Sequence, residues 1–266
     1  MVTHGNDIIM KTVLTIAGSD TCAGAGIQQD LKTISALNHY AVTVTTALTA
    51  QNTRGVQKIM RVPDDMLCAQ LESVLSDIRI DAAKTGMIPD EDSARIIVSF
   101  LKNLRVPIVC DPVMISTSGT QLMSDCCIDY IKSELFPLCT LVTPNIPEAK
   151  RLSESTNAED IERVGHSLSC QHNTAFLLKG GHSKGSVMKD MLFTPDGSSY
   201  SFSSPRITTS NLHGTGCTLS SAIATFLAEG QPLPQAVECA KSFIDRAIFK
   251  GKELHIGKGN GPLWPF

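Results

Sequence analysis

The sequence predicts an α/β protein, with a mostly parallel central sheet and helices on both faces. Three observations lead there. β-rich runs alternate with helix-spaced apolar segments along most of the 266 residues, a pattern that builds parallel sheets from crossover units. Polar and glycine residues recur just after the strands, where open α/β sheets bind ligands. No internal repeat, low-complexity tract or linker divides the chain, so a single domain over 1–266 is expected, with residues 1–11 as a polar N-terminal extension.

The elements follow in order. The β-rich run Thr12–Gly18 opens the sheet, and Gly24–Leu37 carries apolar residues at helical spacing. Val42–Leu48 and Gly55–Val62 read as a hairpin-like excursion that could project as a small lid over the sheet edge. Asp64–Ser76 is a helix entered after Pro63, with Asp64 and Asp65 suited to its positive end. Ala82–Thr85 is a strand, Glu91–Leu104 a helix and Pro107–Cys110 a strand that runs into Asp111-Pro112. Helix Asp125–Leu135 precedes strand Leu141–Thr143, which runs into Pro144-Asn145. Helices Pro147–Glu154 and Ala158–Cys170 lead to strand Ala175–Leu178 and then Lys179-Gly180-Gly181. Val187–Phe193 and Tyr200–Phe202 flank the turn Asp196-Gly197, and helices Gly214–Glu229 and Leu233–Lys250 follow.

Composition narrows the function. Hydrophobic residues make up 42% and charged residues 18% of the chain, which suits a globular protein with a sizeable core. A net charge of −3 gives no basic footprint for nucleic acid. No apolar run is long enough to span a membrane, and residues 1–10 do not read as a signal peptide. The nine cysteines have no framework spacing and no C-x-x-C, which suits a reducing cytoplasm. Cys126-Cys127 reads as ordinary helix filler.

Asn211–Ile223 is the most informative stretch. The glycine turn His213-Gly214-Thr215-Gly216-Cys217 opens straight into a small-residue helix. Such a turn presents unpaired N–H groups at a positive helix end and suits a transferring phosphate. Cys217, at the same place, can do acid–base or nucleophilic work, and a helix N-terminus favours its thiolate. A plain helix start with a buried cysteine fits these residues equally well. Asp111, Asn145 and Glu148 offer hard oxygen ligands for Mg²⁺, with Lys179 placed to neutralise phosphate. Asn145 and Glu148 could equally just cap the following helix. Asp30 and Gln51 could pair with ring nitrogens and an exocyclic amine. No Walker loop, dinucleotide fingerprint or protein-kinase motif set is present. The polar segment 116–120 could act as a flap over a nucleotide.

Eight motifs in sequence order carry a resemblance. They are Ala17-Gly18-Ser19-Asp20, Gly24 to Lys32, Thr49-Ala50-Gln51-Asn52-Thr53, Lys84-Thr85-Gly86-Met87, Asp111-Pro112-Val113-Met114, Thr143 to Ala149, Leu178 to His182, and His213 to Cys217. Together they resemble the hydroxymethylpyrimidine/phosphomethylpyrimidine kinases of thiamine biosynthesis, within the ribokinase-like family, over roughly residues 12–266. The resemblance implies a three-layer α/β/α sandwich. It implies ATP-dependent phosphorylation of 4-amino-5-hydroxymethyl-2-methylpyrimidine to the monophosphate and then the diphosphate, with Mg²⁺. Substrate residues would be Gly18, Asp30, Gln51, Met87 and Val113. Asp111, Asn145, Glu148 and Lys179 would serve ATP, and Asp111 and Glu148 the metal. Cys217, Lys179, Gly214, Thr215 and Gly216 would form the catalytic group. A cytoplasmic homodimer is implied, with small-molecule substrates and neither nucleic acid nor membrane as partner. Sugar kinases of the wider family place an Asp where Cys217 stands. A pyridoxal/pyridoxine kinase of vitamin B6 salvage is the nearest alternative, and a non-catalytic pyrimidine-binding sensor is one of another class.

Overall fold

The computed structural model describes residues 10–115, 119, 121–153, 160–180 and 185–266. Most of the expected extension, most of the expected flap and the expected ends of two helices at Glu154 and Ala158 lie outside the described residues.

Nine strands form one sheet among the described residues, in the order β3-β2-β1-β4-β5-β6-β7-β8-β9. They are β1 (Thr12–Asp20), β2 (Tyr40–Asn52), β3 (Gly55–Arg61), β4 (Ala82–Thr85), β5 (Ile108–Cys110), β6 (Leu141–Val142), β7 (Ala175–Leu178), β8 (Val187–Phe193) and β9 (Ser199–Pro205). The six from β2 to β7 run parallel. β3, β8 and β9 add antiparallel edges. The early excursion therefore extends the sheet as a hairpin.

The helices are α1 (Gly26–Ala36), α2 (Asp64–Asp77), α3 (Glu91–Leu101), α4 (Asp125–Tyr130), α5 (Ile146–Ser153), α6 (Ile161–His172), α7 (Thr215–Ala228) and α8 (Leu233–Gly251). Strand residues alternate between two cores because successive side chains leave a strand on opposite faces. Leu14, Ala83, Cys110, Val142 and Phe176 pack with α2 to α6. Val13, Ala82, Val109, Leu141 and Leu177 pack with α7 and α8 and with Ile34 of α1. Both faces are buried, so the central strands are largely apolar, with Thr15 on β1 and Lys84 and Thr85 on β4 as buried polar exceptions. This is the expected three-layer sandwich.

Local chemistry sets the helix ends. Asp90, Ser124 and Asp160 each accept a backbone N–H from the first turn of α3, α4 and α6, as N-caps do. One expectation is corrected. The helix expected over 125–135 is regular only to Tyr130, widens to a π turn over Ile131–Leu135 and closes as a 3₁₀ turn at Phe136–Leu138. Pro137 has no N–H to donate and its ring crowds the preceding turn, which accounts for the change.

Candidate active site

The carboxyl ends of β1, β4, β5, β6 and β7 open into one cavity of about 730 Å³. Gly18, Gln51, Met87, Val113, Asp111, Asn145, Glu148, Lys179 and Gly214 to Cys217 all line it. The ends of parallel strands and the start of α7 thus converge on one space.

A partly buried ion pair marks one wall. Lys179 Nζ donates to Asp111 Oδ1 at 2.8 Å, and Thr143 Oγ1 donates to the same oxygen at 3.2 Å. Burial works against the ammonium, but Asp111 and Glu148 hold its pKa above the usual lysine value. Asn145 and Glu148 cap each other. Glu148 N–H donates to Asn145 Oδ1 at 2.9 Å, and Asn145 N–H donates to Glu148 Oε2 at 2.8 Å, a reciprocal cap at the start of α5. The capping role and a place in the cavity are therefore compatible. Burial, against the pull of Lys179 and with the push of Asp111, raises Glu148 to about 7. Asp111 and Glu148 present hard carboxylate oxygens to the same cavity, a donor set that fits a divalent cation.

The glycine turn sits opposite this wall. Gly214 has φ +87°, and a Cβ on it would meet Gly24 O at 1.8 Å. Only glycine fits that left-handed position against that backbone. A Cβ on Gly216 would lie 3.2 Å from Asp111 Oδ2 and 3.5 Å from Lys179 Nζ, so the turn faces the ion pair. Cys217 lies in the first turn of α7, partly accessible. Here the expectation of a lowered thiol is overturned. Burial pushes Cys217 up to about 11; Lys84 and the Gly26 N–H oppose that rise, while Asp30 and Asp111 add to it. Desolvation outweighs the helix end.

Gln51 belongs to a short polar chain. His213 Nε2 lies 2.8 Å from Asp20 Oδ2 and 3.3 Å from Gln51 Nε2. Asp20 also accepts the N–H groups of Cys22, Gly24 and Ala25. Its carboxylate organises the loop before α1, and its pKa falls despite burial because His213 and Cys22 bond to it. Sequence reasoning gave neither Asp20 nor His213 a role.

Asp30 stands apart from the other expected substrate residues. It is fully buried beneath the cavity and does not line it. Its oxygens accept from Thr15 Oγ1 at 2.5 Å, Lys84 Nζ at 2.8 Å and Ser221 Oγ at 2.6 Å. Three donors from β1, β4 and α7 thus hold this carboxylate inside the protein. Lys84, which sequence reasoning passed over, lines the cavity in its place. The available signal was a lysine inside a four-residue strand buried on both faces.

With this geometry in view, the family described as phosphomethylpyrimidine kinase matches residues 20–264. The chain belongs to the phosphomethylpyrimidine kinase family. It is a phosphotransferase with the ribokinase-like fold. Over 257 residues it is 42% identical to the hydroxymethylpyrimidine/phosphomethylpyrimidine kinase of Escherichia coli, covering 95% of this chain and 96% of that one. It is 46% identical to the thiamine biosynthesis bifunctional protein ThiED of Geobacter sulfurreducens, covering 95% of this chain and spanning 51% of that longer relative. The pyridoxal kinase of Staphylococcus aureus in complex with AMP-PCP and pyridoxal superposes with a TM-score of 0.86 at 31% identity, covering 96% of this chain and 93% of that one. Phosphomethylpyrimidine kinases and pyridoxal kinases thus share this architecture.

Proposed function

We propose that this kinase phosphorylates 4-amino-5-hydroxymethyl-2-methylpyrimidine with ATP and then converts the monophosphate to the diphosphate, in thiamine diphosphate biosynthesis. The observation that carries this reading is one cavity holding Gln51, Met87 and Val113 together with Lys179, Glu148 and the Gly214–Cys217 turn.

Each group has a task. Gln51 holds the aminopyrimidine, with Gly18, Met87 and Val113 around the ring. Asn145 serves ATP, and Asp111 and Glu148 would hold Mg²⁺. When bound, that ion neutralises charge on the phosphate oxygens. Lys179 adds a fixed positive charge for the transferring group. The backbone N–H groups of Gly214 to Cys217 stabilise its equatorial oxygens. The substrate hydroxyl oxygen forms the new P–O bond while the bond to the ADP leaving oxygen breaks. Cys217 takes the hydroxyl proton as its thiolate, formed by prior release of the thiol proton to solvent. In the second step the acceptor is a phosphate monoester, already largely deprotonated near neutral pH because its second pKa is about 6.

Two experiments test this. Purified protein is incubated with Mg·ATP and the hydroxymethylpyrimidine, with pyridoxine in parallel, and products are followed by mass spectrometry. Sequential mono- and diphosphate are expected, with little pyridoxine phosphate. Product from pyridoxine alone would move the assignment to vitamin B6 salvage, and binding without turnover would favour a sensor. Separately, Cys217→Ala is expected to slow the first phosphorylation by about 10²–10⁴-fold and the second far less. Equal turnover to wild type in both steps removes the proton-acceptor role.

The reading extends to a cytoplasmic homodimer. All nine cysteines are free thiols, which suits a reducing compartment. Leu48 and Met60 face each other in register on the edge hairpin, 45% and 55% exposed, and support an association surface. Light scattering at micromolar protein gives the mass.

A further inference from the structure

A lysine in the middle of a strand buried on both faces is costly, and it persists only with a partner. Lys84 is such a residue, 0% exposed on β4, and its Nζ lies 2.8 Å from Asp30 Oδ2. The pair sits at the floor of the cavity beside the glycine turn. Ser221, one turn beyond Cys217 on α7, places its Oγ 2.6 Å from Asp30 Oδ1 and 2.7 Å from the carbonyl oxygen of Cys217. The ion pair is thereby linked through one hydroxyl to the backbone that carries the thiol. Gly86 leaves room above the ammonium, since a Cβ there would lie 2.9 Å from Lys84 Nζ.

We propose that Lys84, fixed by Asp30, is a positioning residue for phosphoryl transfer, supplying the positive charge beneath Cys217 and the anion-binding turn. This rests on the function proposed above. Four charged groups face Cys217 from the elements around it. Lys84 comes from β4, Asp30 from α1, Asp111 from the end of β5 and Lys179 from the end of β7. Burial disfavours the thiolate most, Asp30 and Asp111 add to that, and Lys84 is the strongest of the groups that favour it. Lys179 is tied to Asp111 and faces the transferred group, so Lys84 acts on the thiol from below. The site thus has two cations with different work. Lys179 meets phosphate, and Lys84 sets the ease with which Cys217 gives up and takes a proton.

The test uses the full chain. Alkylation of Cys217 by iodoacetamide is followed by peptide mass spectrometry across pH, alongside the pH profile of the first phosphorylation. In Lys84→Met, alkylation at fixed pH is expected to fall about tenfold for each unit by which the thiol rises, and the rising limb of the profile moves to higher pH. Lys84→Arg keeps most of both. Lys84→Met leaves Asp30 buried and uncompensated, so Asp30→Asn/Lys84→Met, which removes both charges, serves as the folding-safe companion. It is expected to slow alkylation less than Lys84→Met does, because the opposing charge has gone too. A folded Lys84→Met variant with wild-type pH dependence, or a double variant that alkylates no faster than Lys84→Met, overturns the proposal. Failure of the wild type to phosphorylate the pyrimidine would instead overturn the function, and the alkylation series would still decide the effect of Lys84 on the thiol.

Discussion

Glu148 shows how a single residue couples chemistry to stability. Burial, with Asp111 beside it, holds its carboxyl at about 7, above the ordinary 4.5. The folded state therefore binds this proton more tightly than the unfolded chain does. The stabilisation is fully present below about pH 4.5 and is lost as pH rises through 7. Glu148→Gln removes that dependence. Thermal melts in a metal chelator are expected to show the wild type losing on the order of 2–3 kcal/mol between pH 5 and 8 relative to the variant. Parallel melting curves across this range would contradict the raised value. The same residue explains why a cation suits the site, since a divalent ion lets Glu148 ionise at neutral pH without that loss.

At the level of elements, the turn before α7 differs from an ordinary glycine turn. Gly214 at φ +87° packs against Gly24 O, whereas Gly197 at φ +86° has nothing within 4 Å of a Cβ. Gly197→Ala is expected to cost about 1 kcal/mol and leave both phosphorylations unchanged. Gly214→Ala adds a backbone collision to the same strain and displaces the N–H groups, so both steps are expected to fall by about 10²-fold or more. Denaturant titration and initial rates on the two variants separate these outcomes. Most elements were legible because their patterns are local. The short buried runs of β1, β4 and β7 and the caps at Asp90 and Asp160 are visible in a few residues of sequence. The residues that line the cavity were legible too, because they follow strand ends. What escaped was non-local. Asp30 looks like a surface residue of an amphipathic helix until β4 supplies Lys84, a partner 54 positions away. Cys217 looks activated by its helix end until the neighbouring layers bury it. His213 acquires a role only when Asp20, 193 positions earlier, comes beside it.

Across the whole molecule, the site has no element of its own. It is the line where the parallel strands end and α7 closes over them, so substrate subsites and phosphate subsites are held by one sheet. The Asp30 carboxylate gathers β1, β4 and α7 onto α1 through partners 15, 54 and 191 positions away. A buried charge with three such partners is tolerable only when all are present, so intermediate states that lack α7 leave it exposed to water or unsatisfied. Order of assembly follows from this. The N-terminal half can form its strands early, but the floor of the cavity is completed only when the late helix docks, because distant pairings close last. On refolding from denaturant, recovery of phosphorylation is expected to track the slowest step of native fluorescence or exchange protection rather than the earlier gain of helical signal. In a growing chain the same constraint means that competence arrives in a single event once α7 is made and docks, and products cut short before α7 carry no residual activity.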